Sequence, residues 1–268
     1  MSKGLLDPKV DFVFKNIFGS PNHPEILISF LNATLKAKKK IVNVDIKKTD
    51  IEKQYIEDKY SRLDVKATTS NDEIINIEIQ LKNENNMVKR SLYYLSKMYE
   101  EQLNEKEDYS KLVRTVCINI LNFKYLKTDN FHTGYRFKEI ESNEELTDIM
   151  EVHFIEIPKL QDSSDEKDML VAWTEFLKDP ESEKVRGLEL SIEEIRQAKD
   201  ELIRMSNDST QRELYDMRAN SLRDKMSELN AAERKGIEKG REEGRKEEKI
   251  KIARNMKLSG LDTNTIAK

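Results

Sequence analysis

Acidic and amide side chains occupy alternate positions in two neighbouring segments of the chain, residues 62–68 and 74–82. Apart from the first residue of the second segment, the odd-numbered positions are apolar and the even-numbered positions are polar. Because side chains alternate between the two faces of a β-strand, the pattern predicts two strands that carry Asp64, Glu78 and Gln80 on one face. Two carboxylates and an amide on one face could bind a cation or orient a water molecule.

The turn between the two segments predicts how they pair. A three-residue loop at Ser70–Asp72 places Asp64 directly opposite Glu78, with Cβ atoms about 4.5–5.5 Å apart. Two like charges placed directly opposite each other are destabilising unless a cation lies between them. Mg²⁺ typically binds one or two carboxylates and keeps water or phosphate oxygens as its other ligands. The register therefore predicts a divalent-cation site, and an ordinary hairpin with a solvated polar face remains the alternative.

Composition excludes several other classes of protein. With 47 Lys+Arg against 51 Asp+Glu, the net charge is −4, so the surface as a whole is not a cation for nucleic acid. The three histidines are scattered and form no zinc-binding motif, and Cys117 stands alone in an apolar run that predicts a buried strand. No apolar run approaches the roughly 20 residues of a membrane span, and no apolar leader precedes the first predicted helix. These observations favour a cytoplasmic protein that does not enter a membrane.

The surrounding pattern predicts a sheet and helices in alternation. Asp7 and Pro8 are typical of a helix start, as N-cap and first helical residue. Alternating or β-branched runs predict strands, and apolar residues three or four positions apart predict helices. The predicted strands are 41–46, the hairpin segments 62–68 and 74–82, 112–123, 135–140 and 152–157; the predicted helices are 8–18, 24–35, 85–103, 166–178, 191–206 and one from about 210.

Charge divides the chain into three predicted regions. Residues 1–160 carry 25 basic and 26 acidic groups, and residues 161–233 carry 11 against 19. Residues 234–268 carry 11 against 6, so this tail is the basic segment, and Gly236, Gly240 and Gly244 recur in it at every fourth position. We therefore predict a core at 1–160, an acidic helical region at 161–233 and a basic helical tail at 234–268. The tail is interpreted as a solvated helix, a self-association segment or a DNA contact.

The chain carries three motifs, DPKVDFVFKNIFG from Asp7 to Gly19, RLDV from Arg62 to Val65 and IEIQ from Ile77 to Gln80. They resemble the recombination-promoting nuclease/transposase (Rpn) family, which belongs to the PD-(D/E)XK nuclease superfamily. The resemblance extends over nearly the whole chain, including the helix that carries Arg90 and Tyr94.

The resemblance implies a restriction-endonuclease-like α/β fold, with a central mixed sheet flanked by helices and a C-terminal helical extension. It implies hydrolysis of double-stranded DNA by a metal-activated water, with Mg²⁺, or Mn²⁺ or Ca²⁺ in its place. Asp64 and Glu78 match the family's metal carboxylates, and an acidic residue on the first helix, here Asp11, often joins them. Gln80 matches a catalytic position that is Lys in most of the superfamily, and a neutral amide orients water without adding charge.

Three basic residues are candidates for contact with DNA phosphates. Arg90 follows the catalytic strand closely, Lys82 has the same parity as Gln80, and Lys15 lies on the first predicted helix. A solvated or packed helix face is the alternative for Arg90 and Lys15. The predicted function is a Mg²⁺-dependent DNA endonuclease that promotes recombination and forms a homodimer. A catalytically impaired DNA-binding module and a structural oligomer built through the C-terminal helices remain open.

Overall fold

The computed structural model describes residues 4–37, 39–47, 65–165 and 167–260 of the chain. The strands are β1 (Val44–Lys47), β2 (Val65–Thr69), β3 (Ile74–Gln80), β4 (Thr115–Leu121), β5 (His132–Lys138) and β6 (Glu145–Glu156). The helices are α1 (Asp11–Phe18), α2 (Pro24–Leu35), α3 (Met87–Glu100), α4 (Met169–Lys178), α5 (Glu183–Glu189), α6 (Glu193–Asn207) and α7 (Ser209–Leu258). Helices flank a mixed sheet, as predicted.

The six described strands form one sheet in the order β1-β2-β3-β4-β6-β5. Strands β1 to β3 form an antiparallel meander, β3, β4 and β6 run parallel, and β5 returns antiparallel along the edge. All seven residues of β4 are buried, which is typical of a central strand with covered faces. The dense β-branched run at 112–123 correctly predicts this strand, and the buried Cys117 lies within it.

Each face of the sheet has its own apolar layer. On one face, Met87 and Leu95 of α3 pack with Cys117 and Phe154 from β4 and β6. On the other face, Gly19 at the end of α1 lies beside Val65 of β2.

The helices α1, α2 and α4 share an aromatic cluster. The Phe18 ring lies 5.4 Å from the Phe30 ring and 5.3 Å from the Trp173 ring, in edge-on geometry between centroids. Trp173 Nε1 also donates to Ser29 Oγ at 3.2 Å. Helix α6 contacts α1, α2 and α4 as well. The helices after residue 160 therefore pack on the two N-terminal helices.

The predicted start of the first helix is wrong by one turn. The Asp7 carboxylate accepts from the Lys9 backbone N–H at 2.9 Å, and the Asp7 carbonyl accepts from Val10 N–H at 3.1 Å. Asp7 and Pro8 thus belong to a turn, and α1 begins at Asp11. The helix α5 was also not predicted, although the Ser182 hydroxyl accepts from Val185 N–H at its start.

The chain divides into two compact units, one ending at Arg218 and the other beginning at Ala219. In the second unit, α7 continues to Leu258 with exposed side chains. Ion pairs one turn apart, such as Lys246 with Glu242 at 2.7 Å, support it as they do isolated helices. Among the described residues, no helix combines the length and apolar character needed to span a membrane.

Candidate functional site

The β2–β3 hairpin has the predicted register. All four pairs of residues 65–68 with 74–77 follow it, beginning with Val65 opposite Ile77. Thr69 N–H donates to the Glu73 carbonyl oxygen at 3.0 Å and closes a three-residue loop. Asp64 lies outside the described residues, so its place opposite Glu78 stays a prediction.

Glu78 lies near the carboxyl end of β3 and points into the layer beneath α3. Its neighbour on β4 is Asn119, whose Oδ1 accepts from Ser91 Oγ of α3 at 2.8 Å. Asn119 Nδ2 donates to the His153 carbonyl oxygen at 3.0 Å, which ties β4 to β6. The Glu78 side chain is only 1% exposed. The hairpin therefore places a carboxylate where apolar residues would otherwise be expected.

The two oxygens of the Glu78 carboxylate have different surroundings. Arg90 Nε donates to Oε2 at 3.3 Å. Oε1 is buried and has no hydrogen-bond partner within the part of the chain that the structure describes. Burial raises the pKa of the Glu78 carboxyl above its ordinary value of 4.5, although the charges of Arg90 and Lys15 act to lower it. Among the described residues, the Glu78 carboxylate therefore has a hydrogen-bond partner at one of its two oxygens.

Arg90 is held by the first turns of α3. Its guanidinium carbon lies 5.4 Å from the centroid of the Tyr94 ring, one helical turn further on. Burial acts to lower the pKa of Arg90, but the charge and hydrogen bond of Glu78, together with the charges of Tyr94 and Glu84, raise it above its ordinary value. Arg90 therefore stays protonated beside the carboxylate.

Two further predicted site residues follow Glu78 on the chain. Gln80 is the last residue of β3 and is partly exposed, on the same face as Glu78. Lys82 comes after the strand has ended, so strand alternation does not determine its direction. The catalytic role of Gln80 and the DNA contact of Lys82 stay predictions.

The remaining candidates lie on α1. Lys15 is in the last turn of α1, and its charge acts on the Glu78 carboxyl. Asp11, at the start of the same helix, pairs with Arg218 at 3.0 Å. The structure therefore brings Lys15 and Arg90 towards Glu78, and it gives Asp11 a cationic partner of its own.

A second buried carboxylate, not predicted from the sequence, lies on the opposite face of the sheet. Glu151 Oε1 is 2.6 Å from His153 Nε2, and Oε2 accepts from Arg136 Nε at 2.8 Å and from Arg114 Nη2. His132 Nε2 is 2.9 Å from His153 Nδ1. Burial acts to raise the pKa of Glu151, but these hydrogen bonds lower it to about 2. We refer to these five residues as the Glu151 network.

The Glu151 network forms no metal site. Among the described residues, no three His, Cys, Asp or Glu side chains are grouped so that they could hold a metal ion. Cys117 lies on the Glu78 face, and burial raises the pKa of its thiol to about 12. The Cys117 thiol is therefore neutral and is a poor metal ligand.

The fold and the Glu78 site together define a restriction-endonuclease-like α/β protein. Over residues 8–232 the chain matches the family described as PD-(D/E)XK nuclease family transposase, and it belongs to that family. The matched range contains the whole sheet and the predicted residues Asp64, Glu78 and Gln80. The chain matches no curated protein and no solved structure.

PD-(D/E)XK nucleases generally use divalent metal ions, and the Glu78 site fits one. Hard divalent cations prefer carboxylate oxygens. The buried Oε1 atom of Glu78, which lacks a partner among the described residues, is a donor of that kind. A buried oxygen without a partner is unfavourable, and a cation ligand would remove that penalty.

Proposed function

We propose that the protein is a divalent-metal-dependent endonuclease that hydrolyses double-stranded DNA and takes part in recombination. Asp64 and Glu78 hold the cation, and Gln80 orients the attacking water. The observation that carries this proposal is the buried Glu78 carboxylate, which has one oxygen without a partner among the described residues. Mg²⁺ is the expected ion, and Mn²⁺ or Ca²⁺ could occupy the same oxygens.

Each proposed role follows from the chemistry of the side chain. A bound divalent cation supplies positive charge at the scissile phosphate and lowers the pKa of water. The Gln80 amide accepts a hydrogen bond from water but adds no charge, so we expect slower cleavage than a lysine at this position would give. Lys15, whose charge acts on Glu78, adds positive potential near the phosphate.

The proposed partners follow from the same site. Arg90, Lys15 and Lys82 are proposed to contact the phosphates of a DNA duplex, because cationic side chains supply most non-specific affinity for DNA. We also propose a homodimer, which would place two metal sites on one DNA duplex. Action on DNA and the single, buried Cys117 agree with the predicted cytoplasmic location.

Cleavage of a supercoiled plasmid tests the proposal. We expect nicking with Mg²⁺ and none with EDTA, and a loss of about 100-fold or more in the Asp64→Asn and Glu78→Gln variants. Asp45→Asn is the matched control, because Asp45 is an exposed carboxylate on the neighbouring strand β1. Cleavage by wild type that is no faster than by the two site variants would contradict the proposal.

Two other results would favour the alternative functions. DNA binding without cleavage, weakening steeply with salt, would indicate a catalytically impaired DNA-binding module. An absence of DNA binding, together with a dimer that dissociates when residues 234–268 are removed, would indicate a structural oligomer.

A further inference from the structure

We infer that Arg90 is a positioning residue with two alternative partners. In the metal-free protein it holds the Glu78 carboxylate, and when a divalent cation occupies Glu78 it transfers to a phosphate of the DNA backbone. This inference rests on the proposed function and adds an order of binding to it. The metal ion would bind first, and its binding would free the Arg90 guanidinium to bind DNA. Metal and DNA would then each strengthen the binding of the other.

The contact between Arg90 and Glu78 is weak for a buried ion pair. Its N···O distance of 3.3 Å exceeds the roughly 2.7–2.9 Å of typical charge-assisted hydrogen bonds. It uses Nε and one carboxylate oxygen, whereas arginine–carboxylate pairs are frequently bidentate. Arg204 illustrates the difference, because its Nε and Nη2 contact the two oxygens of Glu201 at 2.8 Å and 2.5 Å. A single long hydrogen bond can be replaced by a bond to another acceptor with little loss of free energy.

A cation at Glu78 would change the charge balance that holds Arg90. The Arg90 guanidinium is attracted by the negative charges of Glu78 and Glu84, and the positive charge of Lys15 acts on the Glu78 carboxyl. A divalent ion at Oε1 would offset the negative charge of Glu78 and of the proposed second ligand Asp64, and it would weaken the attraction that holds the guanidinium. The same ion would bring a DNA phosphate into the site, because phosphate oxygens are among the ligands that such an ion takes beside carboxylates.

The surroundings of Arg90 allow it to change partners. Its side chain is 24% exposed, so the guanidinium lies at the boundary between the buried carboxylate and solvent. The Tyr94 ring gives the guanidinium a second contact that does not depend on Glu78. The planar guanidinium also matches phosphate oxygens in a two-pronged geometry that a lysine cannot reproduce.

Two affinities measured on the same variants test this inference. Calorimetric titration gives the affinity for Mn²⁺ without DNA, and fluorescence anisotropy gives the affinity for a DNA duplex in EDTA and in Ca²⁺. For Arg90→Gln we expect Mn²⁺ to bind about 5-fold more tightly, because a competing cation has been removed. We expect the duplex to bind about 10-fold more weakly in Ca²⁺, with a smaller change in EDTA.

Two further variants make these results specific. Lys89→Gln removes the same charge from the adjacent, exposed position of α3, and we expect its Mn²⁺ affinity to stay within about 2-fold of wild type. Arg90→Lys keeps the charge, so its Mn²⁺ affinity should stay near that of wild type while duplex binding in Ca²⁺ weakens.

The outcomes separate this inference from the proposed function. Suppose that wild type binds Mn²⁺ and cleaves plasmid, but Arg90→Gln binds Mn²⁺ no more tightly than wild type. This result overturns the exchange of partners by Arg90 and leaves the proposed function standing. Equal tightening in Lys89→Gln also overturns the exchange, because the effect would then be one of general charge. Wild type that neither binds Mn²⁺ nor cleaves plasmid overturns the proposed function, and this inference with it.

Discussion

Glu78 and Glu151 are both buried glutamates of the same sheet, and their carboxylates are coordinated in different ways. Both Glu151 oxygens have partners from the Glu151 network, and the pKa of that carboxyl falls to about 2. Glu78 has one long bond to Arg90 and one oxygen without a partner in the described part of the chain, and burial raises its pKa. Among the described residues, Glu151 therefore has partners at both carboxylate oxygens, whereas Glu78 has a partner at one of them.

The difference agrees with a structural role for Glu151 and with the binding role proposed for Glu78. A buried charge is retained when its hydrogen bonds compensate the loss of hydration, as they do for Glu151. A buried charge with an open oxygen lowers stability unless an external ligand completes it. Glu78 lies on the predicted catalytic hairpin, and Glu151 links three strands through Arg114, which also pairs with Glu73.

The largest expected effect is on stability. Glu151→Gln should lower the free energy of unfolding by about 3–5 kcal/mol, because Arg114, Arg136 and His153 lose their charged acceptor. Glu78→Gln should change it by about 1 kcal/mol or less, because one long hydrogen bond is lost and a buried charge is removed with it. Urea denaturation at neutral pH measures both values. Equal losses in the two variants would contradict the contrast between the two sites.

A smaller effect is expected from acidification of the Glu151 network. Burial and the neighbouring His153 lower the pKa of His132 from 6.5 to about 4. The folded state therefore favours neutral His132, and this contribution to stability is present above pH 6.5 and is lost as the pH falls towards 4. At about 1.4 kcal/mol per pKa unit, the loss is about 3 kcal/mol at most.

The His132→Gln variant isolates this contribution. Its free energy of unfolding should fall less than that of wild type between pH 6.5 and pH 4. His23→Gln is the control, since His23 is a half-buried histidine beside Glu25, far from the Glu151 network in the sequence, and this variant should follow wild type. If the free energy of unfolding falls equally with pH in wild type and in His132→Gln, the prediction is wrong, because protonation of His132 then does not destabilise the folded state.

Much of the Glu78 site is predictable because it depends on local pattern. Strand alternation and the length of the loop at 70–72 correctly predict the register of the described hairpin. They also predict the face of Glu78, since β3 continues to Gln80 without a bulge. The pairing of Arg90 with Glu78 was not predicted, because it depends on how α3 crosses the sheet, which the sequence pattern does not specify.

The Glu151 network was not predictable in the same way. Its members come from β5, β6 and the residue before β4, so they are brought together by long-range pairing. The register between β5 and β6 shifts near Tyr135 and Phe137, which simple alternation cannot reproduce. The predicted helix start at Asp7 failed for a local reason, because the same Asp-Pro pair is equally suited to a turn.

Thermal unfolding with and without Mn²⁺ tests most directly the claim that Glu78 is completed by a cation. A ligand at 100 times its Kd stabilises the folded state by about 2.7 kcal/mol, so the Tm of wild type should rise by several degrees. Glu151→Gln should show the same rise from its lower baseline, and Glu78→Gln and Asp64→Asn should show little or none. A rise in Glu78→Gln equal to that of wild type would contradict the account.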